Sequence, residues 1–491
     1  MLQDLSDSTI CAPATAVGAG AISVVRVSGP QALECVSKIF IPAKGRQLSQ
    51  MKGFTMCYGT LMASESEVLD DAIVAVFRSP ESYTGEDMAE ISCHASPYIV
   101  SEVLRLLVEA GCRNAAPGEF TKRAFLNGKM DLTQAEAVAD VIASETKASH
   151  KIAIQQLRGG FSKDLDEMRQ QLLKIVSLME LELDFSEEEV QFADRTELKA
   201  LLDKATKHIS ELISSFKLGN AIKNGVPVAI VGATNTGKST LLNAILGEDR
   251  AIVSSIAGTT RDTIEDTVNI DGILFRFIDT AGIRRTLETI EIAGIERTYY
   301  KIKQASVVLL MLDFTRQDNF EESLKTLGSK LSKDKTLIIL LNKIDEKPVA
   351  LTNLFDASDA EGAAADGSVE SVRAHLAQMA ALYGLSPLGI LPISAKKQEG
   401  LDKLRELLAS SQKSVRPGGE SVLVANLRHY NALKDAYDSL LKAAVAIDEH
   451  RPGDLVCQDI REALYSIGTI VGEISNDEIL GNIFKNFCIG K

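Results

Sequence analysis

Apolar runs and helical repeats alternate along the chain in a pattern that divides it into sections. In residues 1–125, apolar runs at 22–27, 72–77 and 88–93 predict strands, and a helical repeat at 98–110 predicts a helix. This mixture of short strands with a helix predicts an α+β domain.

Residues 126–222 are dominated by helical periodicity. The run Thr133-Gln134-Ala135-Glu136 has the spacing of a capping box, in which a hydroxyl and a carboxylate bind the free amides at a helix start. Long helical repeats cover 148–182 and 198–222, and the acidic stretch 184–189 predicts a hinge between them.

Residues 223–410 change to apolar runs that each precede a polar loop and a helical repeat. The runs are 228–231, 275–278, 307–312, 337–341 and 390–393. This alternation predicts a parallel sheet covered by helices, with a surface insertion at 356–368. Helical periodicity returns in 411–491, where 475–478 resembles a second capping box. The sequence therefore predicts a helical domain split by an inserted α/β domain.

Composition narrows the functional classes. A chain of 491 residues is too long for one core, and its net charge of -14 lacks the basic field of a non-specific nucleic-acid binder. Any contact with RNA must therefore come from local patches. Seven cysteines without a Cys-x-x-Cys pair argue against a zinc site or a disulfide framework. Since no apolar run approaches about 18 residues and no targeting segment is evident, we expect a cytoplasmic protein without a membrane span.

A phosphate-binding loop is predicted at 232–239, which reads Gly-x4-Gly-Lys-Ser directly after an apolar run. In such a loop the backbone amides face the phosphates, Lys238 reaches the β- and γ-phosphate oxygens, and the Ser239 hydroxyl binds Mg²⁺. The predicted nucleotide contacts in this segment are Asn235, Thr236, Gly237, Lys238, Ser239 and Thr240.

Four further motifs follow in the order that a GTPase needs, at 258–260, 279–282, 342–345 and 394–396. Thr260 is the candidate second Mg²⁺ hydroxyl. The Asp345 carboxylate can accept the N1 and N2 hydrogens of guanine, a pair that adenine does not present. The sequence therefore predicts GTP rather than ATP. The predicted contacts in these segments are Ser254, Ser255, Ile256, Ala257, Gly258, Thr259, Thr260, Asp279, Thr280, Ala281, Gly282, Asn342, Lys343, Ile344, Asp345, Ser394, Ala395 and Lys396.

The residue that activates water is less evident. Many GTPases place glutamine directly after Asp-x-x-Gly, but this chain has Ile283, which cannot polarise water. Glu291 is a candidate general base, Glu288 and Glu296 compete with it, and each also fits a solvated helix face. Asn235 offers an amide oxygen beside the phosphates, which suits a monovalent cation replacing an arginine charge.

Several segments outside these motifs are long and unusual. They are Ser82 to Asp87, Pro117 to Lys129, Leu132 to Ala137 and the chain end Phe487-Cys488-Ile489-Gly490-Lys491. Together with the nucleotide motifs, they resemble the MnmE (TrmE) family of tRNA modification GTPases over essentially the whole chain.

The resemblance implies a multidomain fold. Residues 1–125 would form an α+β tetrahydrofolate-binding domain that dimerises. Residues 126–222 and 411–491 would form an α-helical domain ending in Cys-Ile-Gly-Lys. Residues 223–410 would form the inserted α/β P-loop GTPase domain.

The resemblance also implies an activity. The family works with a flavin-dependent, MnmG-like partner in a hetero-oligomer, and adds an aminomethyl or carboxymethylaminomethyl group to carbon 5 of the wobble uridine in certain tRNAs. A 5-formyl- or methylene-tetrahydrofolate would supply the one-carbon unit, and FAD and NADH would enter only through the partner. GTP hydrolysis would need Mg²⁺ and K⁺ in a homodimer.

Residue roles carry over at matching positions. Glu291 would be the catalytic glutamate, and the K⁺ ligands would be Asn235, Ser254, Ile256 and Thr259. The folate site would use Arg26, Glu90, Lys129 and Lys491. Cys488 fits either a catalytic role beside the folate one-carbon group or a plain buried thiol. Prenylation of Cys488 is disfavoured, because Gly490 is not aliphatic and a terminal lysine is atypical.

Two other functions use the same nucleotide motifs. A ribosome-assembly GTPase usually adds an RNA module such as a KH domain with Gly-x-x-Gly, which the helical C-terminal section does not suggest. A regulatory switch would hydrolyse GTP slowly on its own.

Overall fold

The computed structural model describes residues 8–16, 18, 20–184, 195–249, 266–278, 302–346, 368–412, 422–474, 477–485, 487 and 490. The chain divides into two compact units. One comprises residues 1–143, 152–213 and 428–491, and the other comprises 144–151 and 214–427. The domain boundaries predicted at 125, 222 and 410 stay a prediction. None of the described helices is long and apolar enough to cross a membrane.

The N-terminal sheet has seven strands. They are β1 (Ile10–Pro13), β2 (Ile22–Ser28), β3 (Phe40–Pro42), β4 (Thr55–Ser64), β5 (Glu67–Phe77), β6 (Met88–His94) and β7 (Arg113–Asn114). Their order is β3-β4-β5-β6-β2-β1-β7, and all pairs are antiparallel except β1 with β7. Helices α1 (Ala32–Ile39) and α2 (Pro97–Glu109) supply buried residues to the same core. The strands and the helix predicted in this section are confirmed.

The remaining helices of the first half are α3 (Glu119–Leu126), α4 (Leu132–Ile142), α5 (Lys147–Leu157), α6 (Gly160–Asp184) and α7 (Arg195–Asn224). The prediction of one continuous helical repeat over 148–182 was wrong, because a turn at residues 158–159 separates α5 from α6. Gly159 has a φ of 76°, a left-handed conformation that ends a helix and favours glycine. Of the predicted hinge at 184–189, residues 185–189 lie outside the described residues.

The capping box at α4 differs from the predicted one. The N-cap is Asp131, whose side chain accepts from the Gln134 amide at 2.9 Å, while the Gln134 side chain accepts from the Asp131 amide at 3.0 Å. Asp131 is an equally good cap and comes two residues earlier, so Thr133 lies inside the helix. The second predicted box, at 475–478, begins outside the described residues.

Glu136 is therefore free of any capping role and enters a buried ion-pair cluster. Helices α12 (Leu427–Asp448), α13 (Gly453–Val471) and α14 (Asp477–Phe484) complete the C-terminal part. At the start of α12, Arg428 Nε donates to Glu136 Oε1 at 2.9 Å, and His429 Nε2 lies 2.7 Å from Glu136 Oε2. Arg428 also donates to the Thr469 carbonyl at 2.7 Å, which ties α4, α12 and α13 together.

Loss of the Glu136 charge should destabilise this unit. Burial would raise the pKa of Glu136, but the charges and hydrogen bonds of His429 and Arg428 outweigh it and lower the pKa to about 2. We expect Glu136→Gln to lower the free energy of unfolding by about 3 kcal/mol, because it leaves the buried His429 and the half-buried Arg428 without their carboxylate partner. Urea unfolding measures this loss, and exposed Glu462→Gln on α13 is the matched control.

The same pKa gives the pH dependence of this contribution. The carboxyl has a lower pKa in the folded chain than its unfolded value of about 4.3, so it stabilises the fold fully above about pH 4.3. The contribution fades as pH falls from about 4 towards 2. Wild type and Glu136→Gln should thus converge in stability in acid; a constant difference down to pH 2 would contradict the assignment.

The second unit contains a six-stranded sheet. Its strands are β8 (Val226–Val231), β9 (Asp266–Ile270), β10 (Ile273–Phe277), β11 (Val307–Asp313), β12 (Thr336–Asn342) and β13 (Gly389–Pro392). The order is β13-β12-β11-β8-β10-β9. The sheet predicted as parallel is mixed, because β9 pairs antiparallel with β10 at one edge while the other pairs are parallel. The described helices are α8 (Lys238–Asp249), α9 (Phe320–Gly328), α10 (Val369–Leu382) and α11 (Leu401–Ser411).

Candidate functional site

The phosphate-binding loop connects β8 to α8, as the motif predicts. Gly232 and Gly237 have φ angles of 152° and 100°, and Asn235 is left-handed at 62°. A Cβ atom at Gly232 would lie 2.3 Å from the Met311 carbonyl oxygen. These glycines therefore let the loop curl tightly against the neighbouring strand of the sheet, which contains Met311. The loop ends at the N-terminus of a twelve-residue helix, where free amides favour an anion.

Lys238 lies over this loop. Its Nζ donates to the carbonyl oxygens of Gly232 at 2.9 Å and Ala233 at 2.6 Å. The Thr236 hydroxyl donates to the same Ala233 carbonyl at 3.0 Å, which narrows the turn. The ammonium is thus held at the mouth of the loop, and Ser239 follows it in the first turn of α8.

Replacement of Gly237 should strongly weaken nucleotide binding. A Cβ atom there would lie 2.4 Å from Nδ2 of Asn342, and the φ of 100° is strained for any side chain. We expect Gly237→Ala to weaken GDP binding about a hundredfold, equivalent to about 2.7 kcal/mol. Equilibrium binding of a fluorescent GDP measures this.

Gly247, in the helix that follows the loop, offers a matched control. It has no left-handed φ, and a Cβ atom there would meet nothing within 4 Å. Gly247→Ala should leave GDP affinity unchanged. Equal losses in the two variants would point to a general defect rather than to the loop.

Asn342 joins three loops at the edge of the sheet. It ends β12 and is 3% exposed. Its Nδ2 donates to the Thr236 carbonyl at 2.8 Å, and its Oδ1 accepts from the Ala395 amide at 2.9 Å. The phosphate loop, the Asn342–Asp345 loop and the Ser394–Lys396 loop are therefore held together by one buried side chain.

Asp345 lies in the loop that Asn342 anchors. A hydrogen bond from the Ser394 side chain, together with the nearby charges of Lys397 and Lys396, lowers the pKa of Asp345. Ser394 is itself fixed, since its Oγ accepts from the Lys397 amide at 3.1 Å and its backbone exchanges hydrogen bonds with Glu399. The carboxylate stays ionised at neutral pH and can accept two donors of a guanine edge.

Several predicted nucleotide and catalytic residues lie outside the described residues. These are Ser254, Ser255, Ile256, Ala257, Gly258, Thr259, Thr260, Asp279, Thr280, Ala281, Gly282, Glu288, Glu291 and Glu296. Their predicted roles, including the second Mg²⁺ hydroxyl and three of the K⁺ ligands, stay predictions. The same holds for Cys488 and Lys491.

A second site lies in the N-terminal part of the chain. Arg26, Glu90 and Lys129, three of the four predicted folate residues, line one pocket of about 490 Å³ together with Phe54, Phe77, Glu81, Ser82, Tyr83 and Met88. We call it the Arg26 pocket. Its mixture of aromatic, cationic and anionic groups suits a planar ligand with several hydrogen-bonding groups.

Arg26 is held firmly in this pocket. Its Nη2 lies 2.7 Å from Glu90 Oε1, and its guanidinium lies 5.1 Å from the Tyr83 ring and 5.6 Å from the Phe120 ring. Tyr83 is fixed in turn, because its hydroxyl is 2.8 Å from that of Thr121. The roles of Tyr83 and Phe120 were not predicted, although both lie in the unusual segments quoted above.

The end of the chain reaches the same pocket. Arg26 Nη1 donates to the Gly490 carbonyl at 3.3 Å. Gly490 has a φ of 92°, and a Cβ atom there would lie 2.0 Å from the Pro13 carbonyl oxygen. Only glycine fits where the backbone passes β1 this closely.

Comparisons with known proteins match the chain from end to end. A family model described as the MnmE helical domain matches residues 132–488, and one described as the N-terminus of GTP-binding protein TrmE matches 9–129. The tRNA modification GTPase MnmE of Bacteroides thetaiotaomicron is 49% identical over 491 residues, covering 99% of this chain and 100% of that protein. Its counterpart in Parabacteroides distasonis is 48% identical over 487 residues, with the same coverage.

Among solved structures, a GTP-binding protein from Sulfolobus solfataricus in complex with GDP matches with 18% identity and a TM-score of 0.27, covering 50% of this chain and 66% of that one.

Proposed function

The chain belongs to the MnmE family of tRNA modification GTPases, and from this premise we propose that it hydrolyses GTP in order to modify carbon 5 of the wobble uridine in certain tRNAs. The observation that carries the nucleotide part is Asn342. This buried side chain bonds the phosphate loop at Thr236 and the Ser394–Lys396 loop at Ala395. Phosphate recognition and base recognition would thereby be assembled at one edge of the sheet.

Two cations fit the phosphate end of this site. Ser239 follows Lys238 at the start of α8, where its hydroxyl suits Mg²⁺ shared with the nucleotide phosphates. Asn235, left-handed in the loop, suits K⁺. When bound, these ions neutralise charge that develops on the phosphoryl oxygens. The remaining proposed ligands are Thr260 for Mg²⁺ and Ser254, Ile256 and Thr259 for K⁺.

Potassium should therefore accelerate hydrolysis. We expect GTP turnover at least about tenfold faster in KCl than in NaCl at equal ionic strength, because the cation replaces an arginine charge. Asn235→Ala should remove this difference while the protein still binds GDP. Brisk, cation-independent turnover in wild type would contradict the K⁺ assignment, and slow turnover in both salts would favour a regulatory switch.

The Arg26 pocket is the proposed site of a tetrahydrofolate derivative, either 5-formyl- or methylene-tetrahydrofolate. Its volume of about 490 Å³ lies in the range of small-molecule sites, and Glu90 and Lys129 add opposite charges to an aromatic wall. The group would supply a one-carbon unit when bound. Arg26 would orient it, and Lys491 and Cys488 would approach from the chain end, which meets the pocket at Gly490.

Deletion of residues 488–491 should weaken folate binding, because Gly490 is in contact with Arg26 beside the pocket. We expect about a tenfold loss of affinity for 5-formyl-tetrahydrofolate in calorimetry, with GDP affinity unchanged as the internal control. Unchanged folate affinity would remove the chain end from the proposed site.

Self-association is supported by the N-terminal sheet. On the face opposite the core, Ile41, Met56, Tyr58 and Ile73 are exposed by 59, 67, 56 and 44%. Tyr58 and Ile73 are direct cross-strand partners, so these side chains form one apolar surface. Contiguous exposed apolar surface is typical of interaction sites, and we propose that this one is the interface of a homodimer. The flavoprotein partner, which would bring FAD and NADH, and the tRNA complete the proposed cytoplasmic assembly.

Nucleoside mass spectrometry of tRNA tests the proposed function. In a strain lacking this gene, carbon-5 aminomethyl-type wobble uridines should be lost and should return when the gene is restored. A chain carrying Gly237→Ala should fail to restore them. An unchanged nucleoside profile would leave the GTPase but favour ribosome assembly, which co-sedimentation with ribosomal subunits would then reveal.

A further inference from the structure

Lys343 has an unusual backbone conformation beside the base-recognition loop. It follows Asn342 and has a φ of 68°, which is uncommon for a residue with a long side chain. Residues in this region persist where their surroundings hold them, and they concentrate at ligand sites. An interaction of the Lys343 side chain can supply this hold.

That interaction is an ion pair with Asp313. Lys343 Nζ lies 2.6 Å from Asp313 Oδ2, and the two side chains are 27% and 7% exposed. Asp313 ends β11 and lies directly opposite Asn342 in the parallel pairing with β12. A pair this short and this shielded from water is held more strongly than a surface salt bridge.

The second carboxylate oxygen of Asp313 is also occupied. Oδ1 accepts from the Thr315 amide at 2.9 Å and from the Thr315 hydroxyl at 2.7 Å. Burial would raise the pKa of Asp313, but the hydrogen bonds from Lys343 and Thr315 outweigh it and lower the pKa. The carboxylate is thus ionised, and the two hydrogen bonds from Thr315 fix its orientation towards the lysine.

The two strand ends are joined by backbone as well. The Phe314 amide donates to the Asn342 carbonyl at 2.8 Å, so the chain after Asp313 runs beside the start of the base loop. Asn342 faces the phosphate loop and Asp345 bonds with Ser394. Lys343 lies between Asn342 and Asp345 along the chain. Among the described contacts, Asp313 is the acidic group that holds Lys343.

We propose that Asp313 is a positioning residue for guanine-nucleotide recognition. It acts through Lys343: by holding the ammonium at the end of β11, it keeps Lys343 in its left-handed conformation and so presents Asp345 to the base. Thr315 orients the Asp313 carboxylate for this task. The inference rests on the proposed GTP-binding function and adds a residue outside the nucleotide motifs.

A double-mutant cycle on the full-length chain tests this, with fluorescent GDP as the probe. Asp313→Asn keeps the shape and removes the charge, and Lys343→Met removes the ammonium. We expect Asp313→Asn to raise the Kd for GDP about tenfold, mainly through faster dissociation, since the loop releases the base more readily. In the Lys343→Met background, the same change should alter the Kd less than about twofold.

Equal effects of Asp313→Asn in both backgrounds would overturn the proposal, because Asp313 would then act independently of Lys343. Asp318→Asn, an exposed acid in the same loop, is the matched control and should leave GDP affinity unchanged. Melting curves without nucleotide show whether each variant folds. If Asp313→Asn does not fold, Thr315→Val provides the test: it should raise the Kd about threefold in wild type and not in Lys343→Met.

GDP binding by the wild-type chain distinguishes failure of the proposed GTPase function from failure of the proposed role of Asp313. Wild type that does not bind GDP contradicts the proposed GTPase function. Wild type that binds GDP, with an additive cycle, contradicts only the role of Asp313.

Discussion

Replacing Asp345 with asparagine is expected to change the preferred base from guanine to xanthine. In the proposed site the ionised carboxylate would accept the N1 and N2 hydrogens of guanine, and hydrogen bonds to a charged group contribute about 1.5 to 3 kcal/mol each. Loss of both should weaken GDP binding about 10³-fold. Xanthine has a carbonyl oxygen in place of the 2-amino group, so the asparagine amide can donate to that oxygen and accept from N1.

Competition binding with GDP and XDP measures this exchange. Glu346→Gln is the matched control, because Glu346 is the exposed residue that follows Asp345 and its removal should leave the preference for GDP unchanged. Loss of affinity for both nucleotides would show that the loop has collapsed. In that case Asp345 would be a structural residue, held by Ser394, and not the reader of the base.

The strands of the nucleotide-binding sheet could be predicted because most are buried on both faces. All seven residues of β11 are buried, and the first six form an uninterrupted apolar run that ends at Asp313. The edge strand β9 escaped prediction for the opposite reason. It is short and contains Asp266 and Asn269, and only Val268 and Ile270 of its five residues are buried.

Helix existence was readable from periodicity, but helix ends were not. Apolar spacing continues across Gly159, so only the left-handed backbone reveals that α5 and α6 are separate. At α4, two overlapping segments had capping-box spacing. Asp131 is the N-cap because the backbone is extended at this residue and becomes helical at Leu132. The spacing of the two segments alone does not show this.

In the candidate site, too, residues specified by a short local motif could be predicted, whereas residues that act through distant partners could not. Candidate nucleotide contacts such as Lys238 and Asn342 were singled out because a short pattern specifies them. Asp313 was not, since it closes an apolar run and its partner Lys343 is 30 positions away. The Glu136 cluster depends on Arg428, which is 292 positions distant. Pairings of this kind become visible only when the fold brings the partners together.

Replacing Glu291 with alanine is expected to abolish GTP hydrolysis and leave GTP binding intact. Ile283 stands where many GTPases have a water-orienting glutamine, so another group must act on the water. A general base contributes about 10² to 10⁴ in rate, and we expect kcat to fall about 10³-fold. Because the water is positioned only for the transition state, the Kd for GTP should change less than about twofold.

Single-turnover phosphate release in KCl, with GTP binding measured in parallel, checks this expectation. Glu288→Ala and Glu296→Ala are the matched controls, since both glutamates compete for the role within the same charged stretch. Near-wild-type rates in these two variants with loss in Glu291→Ala would assign the base to Glu291. Loss of GTP affinity parallel to the loss of rate would contradict the assignment.

A glutamine at position 291 separates two ways in which Glu291 can act. Its amide orients a water molecule by hydrogen bonding, as the glutamine of other GTPases does, but it cannot take a proton at neutral pH. If Glu291→Gln is as slow as Glu291→Ala, proton transfer to the carboxylate is required. If Glu291→Gln recovers most of the rate, the residue orients water without acting as a base, and the GTPase mechanism would then differ from the common one only in where along the chain the orienting side chain is supplied.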